Sequence, residues 1–197
     1  MSIPPQKWGA IEEIIWQYKV GLTKLGHEVD IVYADDVKPG EYDFAHLHVA
    51  RLATESDHLS EGGFIQRGVP YIFTMHDVHP YVYGRNSEAF VSNTKAIEGS
   101  IFSTVGCKRY RDIFPKSCLN KIEWLLHGVD TDFFSSRPRP KEHKLLCVGM
   151  KEPRKQFHLA LQAAEILNLP ITIVGPEKDH CQEYVDKYFK SSNYPLL

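Results

Sequence analysis

Short β-rich runs alternate with helical or loop segments along most of the chain, and this alternation implies an α/β fold built on a parallel sheet. The runs at 29–33, 42–48, 69–74, 100–105 and 122–126 are each too short for a helix and rich in Val, Ile, Tyr and Phe. Between them the pattern changes period. Ile11, Ile14, Ile15, Tyr18, Leu22 and Leu25 form the apolar stripe of an amphipathic helix, with Glu12, Glu13, Gln17 and Lys24 on the wet side and Gly26 as its stop. Lys38-Pro39-Gly40 supplies a turn, 59–67 a short helix despite Gly62 and Gly63, and 108–114 a further helix. Strands fed by helices in this order imply a doubly wound, Rossmann-like sheet with helices on both faces.

Arg137-Pro138-Arg139-Pro140 breaks the pattern, because alternating prolines fix φ and make a stiff, wet connector. Beyond it a new unit is expected: strand 144–148, loop 149–155, helix 156–167, strand 171–174, the Gly175-Pro176 loop and helix 180–189. These strands are too few to close an independent Rossmann core. A doubly wound domain usually opens with a strand, yet here the loop Pro4-Pro5-Gln6-Lys7-Trp8-Gly9-Ala10 comes almost at once. The expected organisation is therefore a domain at 2–136 lacking its first strand, a linker at 137–141 and an incomplete second Rossmann-like domain at 142–197.

A formal net charge of −2 and a pI near 6.5 remove the basic excess that a nucleic-acid partner would need. Cys107, Cys118, Cys147 and Cys181 have neither disulfide-framework nor zinc-ribbon spacing, which fits a reducing, cytoplasmic setting. No apolar run reaches the roughly 20 residues that span a bilayer, and the N-terminus is no signal peptide; peripheral membrane contact stays open.

Polar chemistry collects at predicted strand ends, where open α/β sheets place their sites. His46-x-His48 and His76-Asp77-x-His79 project imidazoles and a carboxylate that invite a metal reading, a hydrolase using His46, His48, His76 and His79. The sequence has no His-Glu-x-x-His pair to strengthen it. Arg154-Lys155 stands at the start of a helix, where the macrodipole disfavours cations; a solvated helix start is the plain reading, and the misfit favours a functional role.

Five segments in collinear order resemble family 4 retaining glycosyltransferases of the GT-B fold: 4–12, 42–48, 68–77, 125–134 and 145–155. The resemblance implies transfer of a hexose from a nucleoside diphosphate sugar to a glycan or lipid-linked acceptor hydroxyl with retention, without metal or other cofactor. It implies that Gly9 and Ala10 let backbone amides approach the donor phosphates, Ala10 standing where a second glycine is usual. His76 matches a histidine that positions donor or acceptor, with Asp77 beside it. Leu126-His127-Gly128-Val129-Asp130 matches the interdomain segment, His127 standing for an asparagine, with Phe133 and Phe134 expected to be buried. Gly149, Arg154 and Lys155 match the diphosphate-binding stretch, where cations neutralise the leaving group. There Met150 takes the place of an arginine and Gln156 that of a glycine, and Lys151 or Arg154 could compensate. The paired glutamates that hold the donor in the family are not reached by Leu197. A non-catalytic remnant, or half of a split enzyme completed by a complementing chain, is the companion expectation.

Overall fold

The computed structural model describes residues 3–6, 9–54, 62–76, 79–135, 143–177 and 179–189. The chain divides into two compact units, Met1–Asp130 and Thr131–Leu197. The division precedes the expected linker at 137–141, which lies outside the described residues.

Unit 1 is a four-stranded parallel sheet in the order β1 (Ala45–Leu47), β2 (Tyr71–Met75), β3 (Phe102–Val105), β4 (Ile122–Trp124). The helices are α1 (Ala10–Lys24), α2 (Arg51–Thr54), α3 (Phe64–Arg67), α4 (His79–Tyr83), α5 (Glu88–Gly99), α6 (Lys108–Arg111) and α7 (Lys116–Leu119). This is an α/β unit with helices flanking a parallel sheet, compatible with a Rossmann-like fold. Its registers pair Leu47 with Phe73, Phe73 with Ser103 and Met75 with Val105. Because side chains alternate, this row faces one side and carries the core, closed by Ala53, Phe64, Phe90, Ala96, Ile97 and Cys118 from the helices. The alternate row, His46, Ile72, Thr74 and Thr104, faces the other side. That parity separates the apolar core from the polar side chains described below.

Helix α5 has no clean apolar stripe, since Ser92, Asn93, Thr94 and Glu98 dilute it. It is fixed instead by its ends and by internal bonding: Ser87 accepts from the Phe90 amide at 3.1 Å, while Asn93 and Thr94 donate to the carbonyls of Ala89 and Phe90 at 2.8 Å. Helix α6 is shorter than the expected 108–114, as Pro115 disfavours helical backbone just before it. The β-rich run 29–33 forms no strand. Its backbone is without a ladder, and Val32 and Tyr33 are exposed. A β-prone segment becomes a strand only when a neighbour accepts its backbone groups. Phe133 and Phe134, expected to be buried, are 73% and 68% exposed and pack edge to face on each other. They belong to an open turn rather than to a core.

Unit 2 pairs β5 (Leu145–Val148) with β6 (Ile171–Val174) in parallel and covers one face with α8 (Phe157–Leu167) and α9 (Gln182–Tyr188). The expected helix 180–189 begins as a 3-10 turn, Asp179–Cys181, before α9. Ile171, Ile173, Phe157, Leu161, Ala164, Val185 and Phe189 make its core. Leu146 and Val148 point to the opposite face and are 67% and 61% exposed. No helix among the described residues is long and apolar enough to cross a membrane.

Candidate functional site

Four histidines gather at the carboxyl ends of β1, β2 and β4. Residues two apart on a strand share a face, so His46 and His48 leave β1 on the same side, with ring centroids 4.2 Å apart. Thr74 and His76 do the same at the end of β2. His46 Nε2 lies 2.8 Å from Thr74 Oγ1, and Thr74 Oγ1 lies 2.8 Å from Thr104 Oγ1, so a polar line crosses three strands. His48 Nδ1 is 2.8 Å from His76 Nε2, and His76 Nδ1 is 3.3 Å from His127 Nε2. The rings of His76 and His127 stack at 4.9 Å. Tyr18 of α1 closes the inner end, edge-on to His46 at 5.0 Å.

No carboxylate contributes to the shifts of His46, His48 and His76, and burial favours the neutral form of these three rings. Burial, with repulsion from His76, pushes His46 down to about 4. Burial, then His46, His76 and His127, takes His48 to about 3, and burial with His127 takes His76 to about 4. A charged ring here would lose water without gaining a counter-ion.

His76 therefore joins a chain of imidazoles. Its neighbour His127 was expected in an interdomain turn, and no spacing rule links residues so far apart in sequence. His79, expected in a metal cluster, instead lies on α4 against Tyr83 at 5.3 Å. Among the described residues no group of three or more His, Cys, Asp or Glu side chains is disposed to hold a metal ion. Asp77 lies outside the described residues.

Gly9 caps α1, with Ala10 as the first helical residue. A Cβ at Gly9 would sit 2.8 Å from Pro5 Cβ and 2.9 Å from Glu12 Oε2, so the space is already filled. The Glu12 carboxylate lies beside this glycine, and its charge opposes the approach of an anion.

In unit 2 the loops after β5 and β6 touch back to back. Gly149 (φ +153°) and Gly175 (φ +148°) meet so closely that a Cβ on Gly175 would lie 1.8 Å from the Gly149 carbonyl oxygen. The Gly149 amide donates to Val174 O and the Lys151 amide to Pro176 O, each at 2.9 Å. Lys151 is 5% exposed, and its Nζ pairs with Glu177 at 3.2 Å. It is a strut between the two loops. Arg154 is bound by Glu152 at 2.5 Å. Lys155 is exposed and makes no side-chain hydrogen bond or ion pair among the described residues.

Gln156 then turns the chain into α8 with φ 53° and ψ 33°. This left-handed backbone favours the glycine expected there, and a side chain costs about 1 kcal/mol. Gln156→Gly should therefore stabilise unit 2 by about 0.5–1 kcal/mol, read as a rise in the denaturation midpoint. A fall would show that the Gln156 side chain has a stabilising role its geometry does not reveal. His158, which the sequence did not single out, lies 3.0 Å from the Tyr184 hydroxyl and stacks on Tyr188, joining α8 to α9.

No family model matches the chain, and no curated protein matches it.

Proposed function

We propose that the chain is part of a retaining, sugar-nucleotide-dependent glycosyltransferase of the GT-B kind, with unit 2 recognising the diphosphate of the donor and unit 1 the acceptor hydroxyl. The observation that carries this reading is the loop after β5. It places an uncommitted lysine, Lys155, at the entry to an eleven-residue helix, directly after a glycine contact that admits no side chain. An ammonium with no partner among the described residues, at a helix N-terminus, opposes the helix dipole, and an anionic ligand relieves that opposition. The left-handed Gln156, in the place of the family's glycine, adds support from the backbone.

The test is calorimetric titration of the full chain with UDP, GDP, ADP and dTDP. One of them should bind, and Lys155→Ala should weaken it by about tenfold or more, the scale of a charge-assisted contact, while leaving the melting temperature unchanged. No binding to any of the four, or equal binding by the variant, would remove the assignment.

A non-catalytic remnant, or half of a split enzyme, is favoured by three observations: the Glu12 carboxylate lies beside Gly9, Lys151 is committed to Glu177, and Arg154 to Glu152. That reading expects nucleotide binding without turnover of the corresponding nucleotide sugar.

A further inference from the structure

We propose that His127, rather than His76, is the imidazole of unit 1 that meets ligand, that the ligand group it meets is a hydroxyl, and that His76 is a positioning residue behind it. The inference rests on the reading of unit 1 as an acceptor-binding unit. It changes which residue makes the contact.

An imidazole has two ring nitrogens and no other polar atom. Both of those on His76 are taken, Nε2 by His48 at 2.8 Å and Nδ1 by His127 at 3.3 Å. For His76 to bind a sugar directly it would have to give up its bond to His48 or to His127 in exchange. His127 is exposed, lies beyond β4, and commits only Nε2 to the chain. Its Nδ1 is the one nitrogen of the His48–His76–His127 series that lies on an exposed ring and makes no hydrogen bond among the described residues.

The series also determines what that nitrogen can recognise. Whenever the three rings are all neutral, each carries one N–H, and two bonds in series leave two arrangements. In one, His48 Nδ1 donates to His76, His76 Nδ1 donates to His127, and His127 Nδ1 carries the outward N–H. In the other, His127 Nε2 donates inward, His76 Nε2 donates to His48, and His127 Nδ1 presents a lone pair. The two differ by a proton shift on each ring, with no change in total charge. A carboxylate or phosphate fits only the first arrangement, and an ammonium only the second. A hydroxyl, which both donates and accepts, fits either. Tyr18 and Thr74, the other groups in contact with the cluster, are hydroxyl-bearing and bring no charge to bias the chain.

The experiment is long-range proton–nitrogen NMR of the histidine rings in the full chain at neutral pH, titrated with methyl α-glucopyranoside as a hydroxyl probe. Sodium acetate serves as the charged comparison. The glucoside should move the His127 nitrogens most and those of His76 less, while acetate, which fits only the arrangement with an outward N–H, should shift His127 toward that tautomer alone. In His127→Ala the response should be lost while the His48–His76 bond signal remains. In His76→Ala, His127 should still respond but with its tautomer no longer changing together with that of His48, an effect that a purely structural role for His76 would not produce. Acylation by diethyl pyrocarbonate should reach His127 before His76, and the glucoside should slow it.

A glucoside response centred on His76, equal acylation of the two rings, or no response at all would overturn the inference. Nucleotide binding that depends on Lys155 is a separate measurement. If it persists while the glucoside leaves His127 unmoved, only the His127 assignment falls. If the glucoside moves His127 but no nucleotide binds, only the transferase reading falls.

Discussion

Acidification from neutral pH to about 4 should unfold unit 1, with most of the loss of stability below the ordinary histidine value of 6.5. His46, His48 and His76 are depressed to about 4, about 3 and about 4, chiefly by burial. Above pH 6.5 the three rings are neutral in folded and unfolded chains alike, and the stability is fully present. Below it the unfolded chain binds protons that the folded one refuses, so stability falls with pH until the folded values are reached. Each unit of difference is worth about 1.4 kcal/mol, so His46 and His48 taken singly each contribute about 3 kcal/mol by pH 4, and His76, nearer to water and more screened, contributes less. The rings repel one another when charged, so these figures do not add, yet even one is a large part of the 5–15 kcal/mol that holds a domain together. Thermal unfolding followed by near-UV circular dichroism at pH 7.5, 6 and 5 measures it. His48→Gln should flatten the dependence by about one proton, because a neutral amide has nothing to titrate. A melting temperature constant from pH 7.5 to pH 5 would show that water reaches the cluster freely.

Gly175→Ala is the second large effect, and it acts on unit 2. The new Cβ would be placed 1.8 Å from Gly149 O and 2.6 Å from Gly149 C, on a backbone at φ +148° that L-residues rarely adopt. Relief by movement is blocked, because Gly149 N–H is bound to Val174 O, Lys151 N–H to Pro176 O, and Lys151 Nζ to Glu177. Strain and overlap together should cost about 3 kcal/mol or more. With one face of its two-stranded sheet bare at Leu146 and Val148, unit 2 has little stability to lose. In the full chain, unit 2 amide signals should collapse to random-coil positions while unit 1 signals persist, and nucleotide affinity at Lys155 should go with them. Gly106→Ala, where nothing lies within 4 Å of the added Cβ, should leave both units intact. A folded, nucleotide-binding Gly175→Ala chain would refute the back-to-back loop geometry.

Periodicity carried the class of the fold and most of its elements. The stripe Ile11 to Leu25 became α1, and the runs around residues 45, 72, 104, 123, 146 and 172 became strands, because local hydrophobic spacing records which side of an element will be buried. Local chemistry also marked the Lys155 loop and the unusual residue at Gln156. Helix α5 was hidden because its polar residues satisfy themselves on backbone carbonyls, which no hydrophobic pattern reports.

Residue spacing along strands could place His46 beside His48, since a two-residue period is a property of the chain itself. It could not bring His127 to His76, 51 residues away, because that contact depends on β2, β3 and β4 lying side by side in register. The exposure of Phe133 and Phe134, the missing ladder at 29–33 and the commitment of Lys151 to Glu177 have the same origin. Whether an aromatic is covered, a strand paired or a cation free depends on what the rest of the chain brings against it. The alternating α/β architecture was therefore legible in the order of residues. The line of imidazoles and its single outward nitrogen were decided only when the sheet assembled and withdrew His46, His48 and His76 from water.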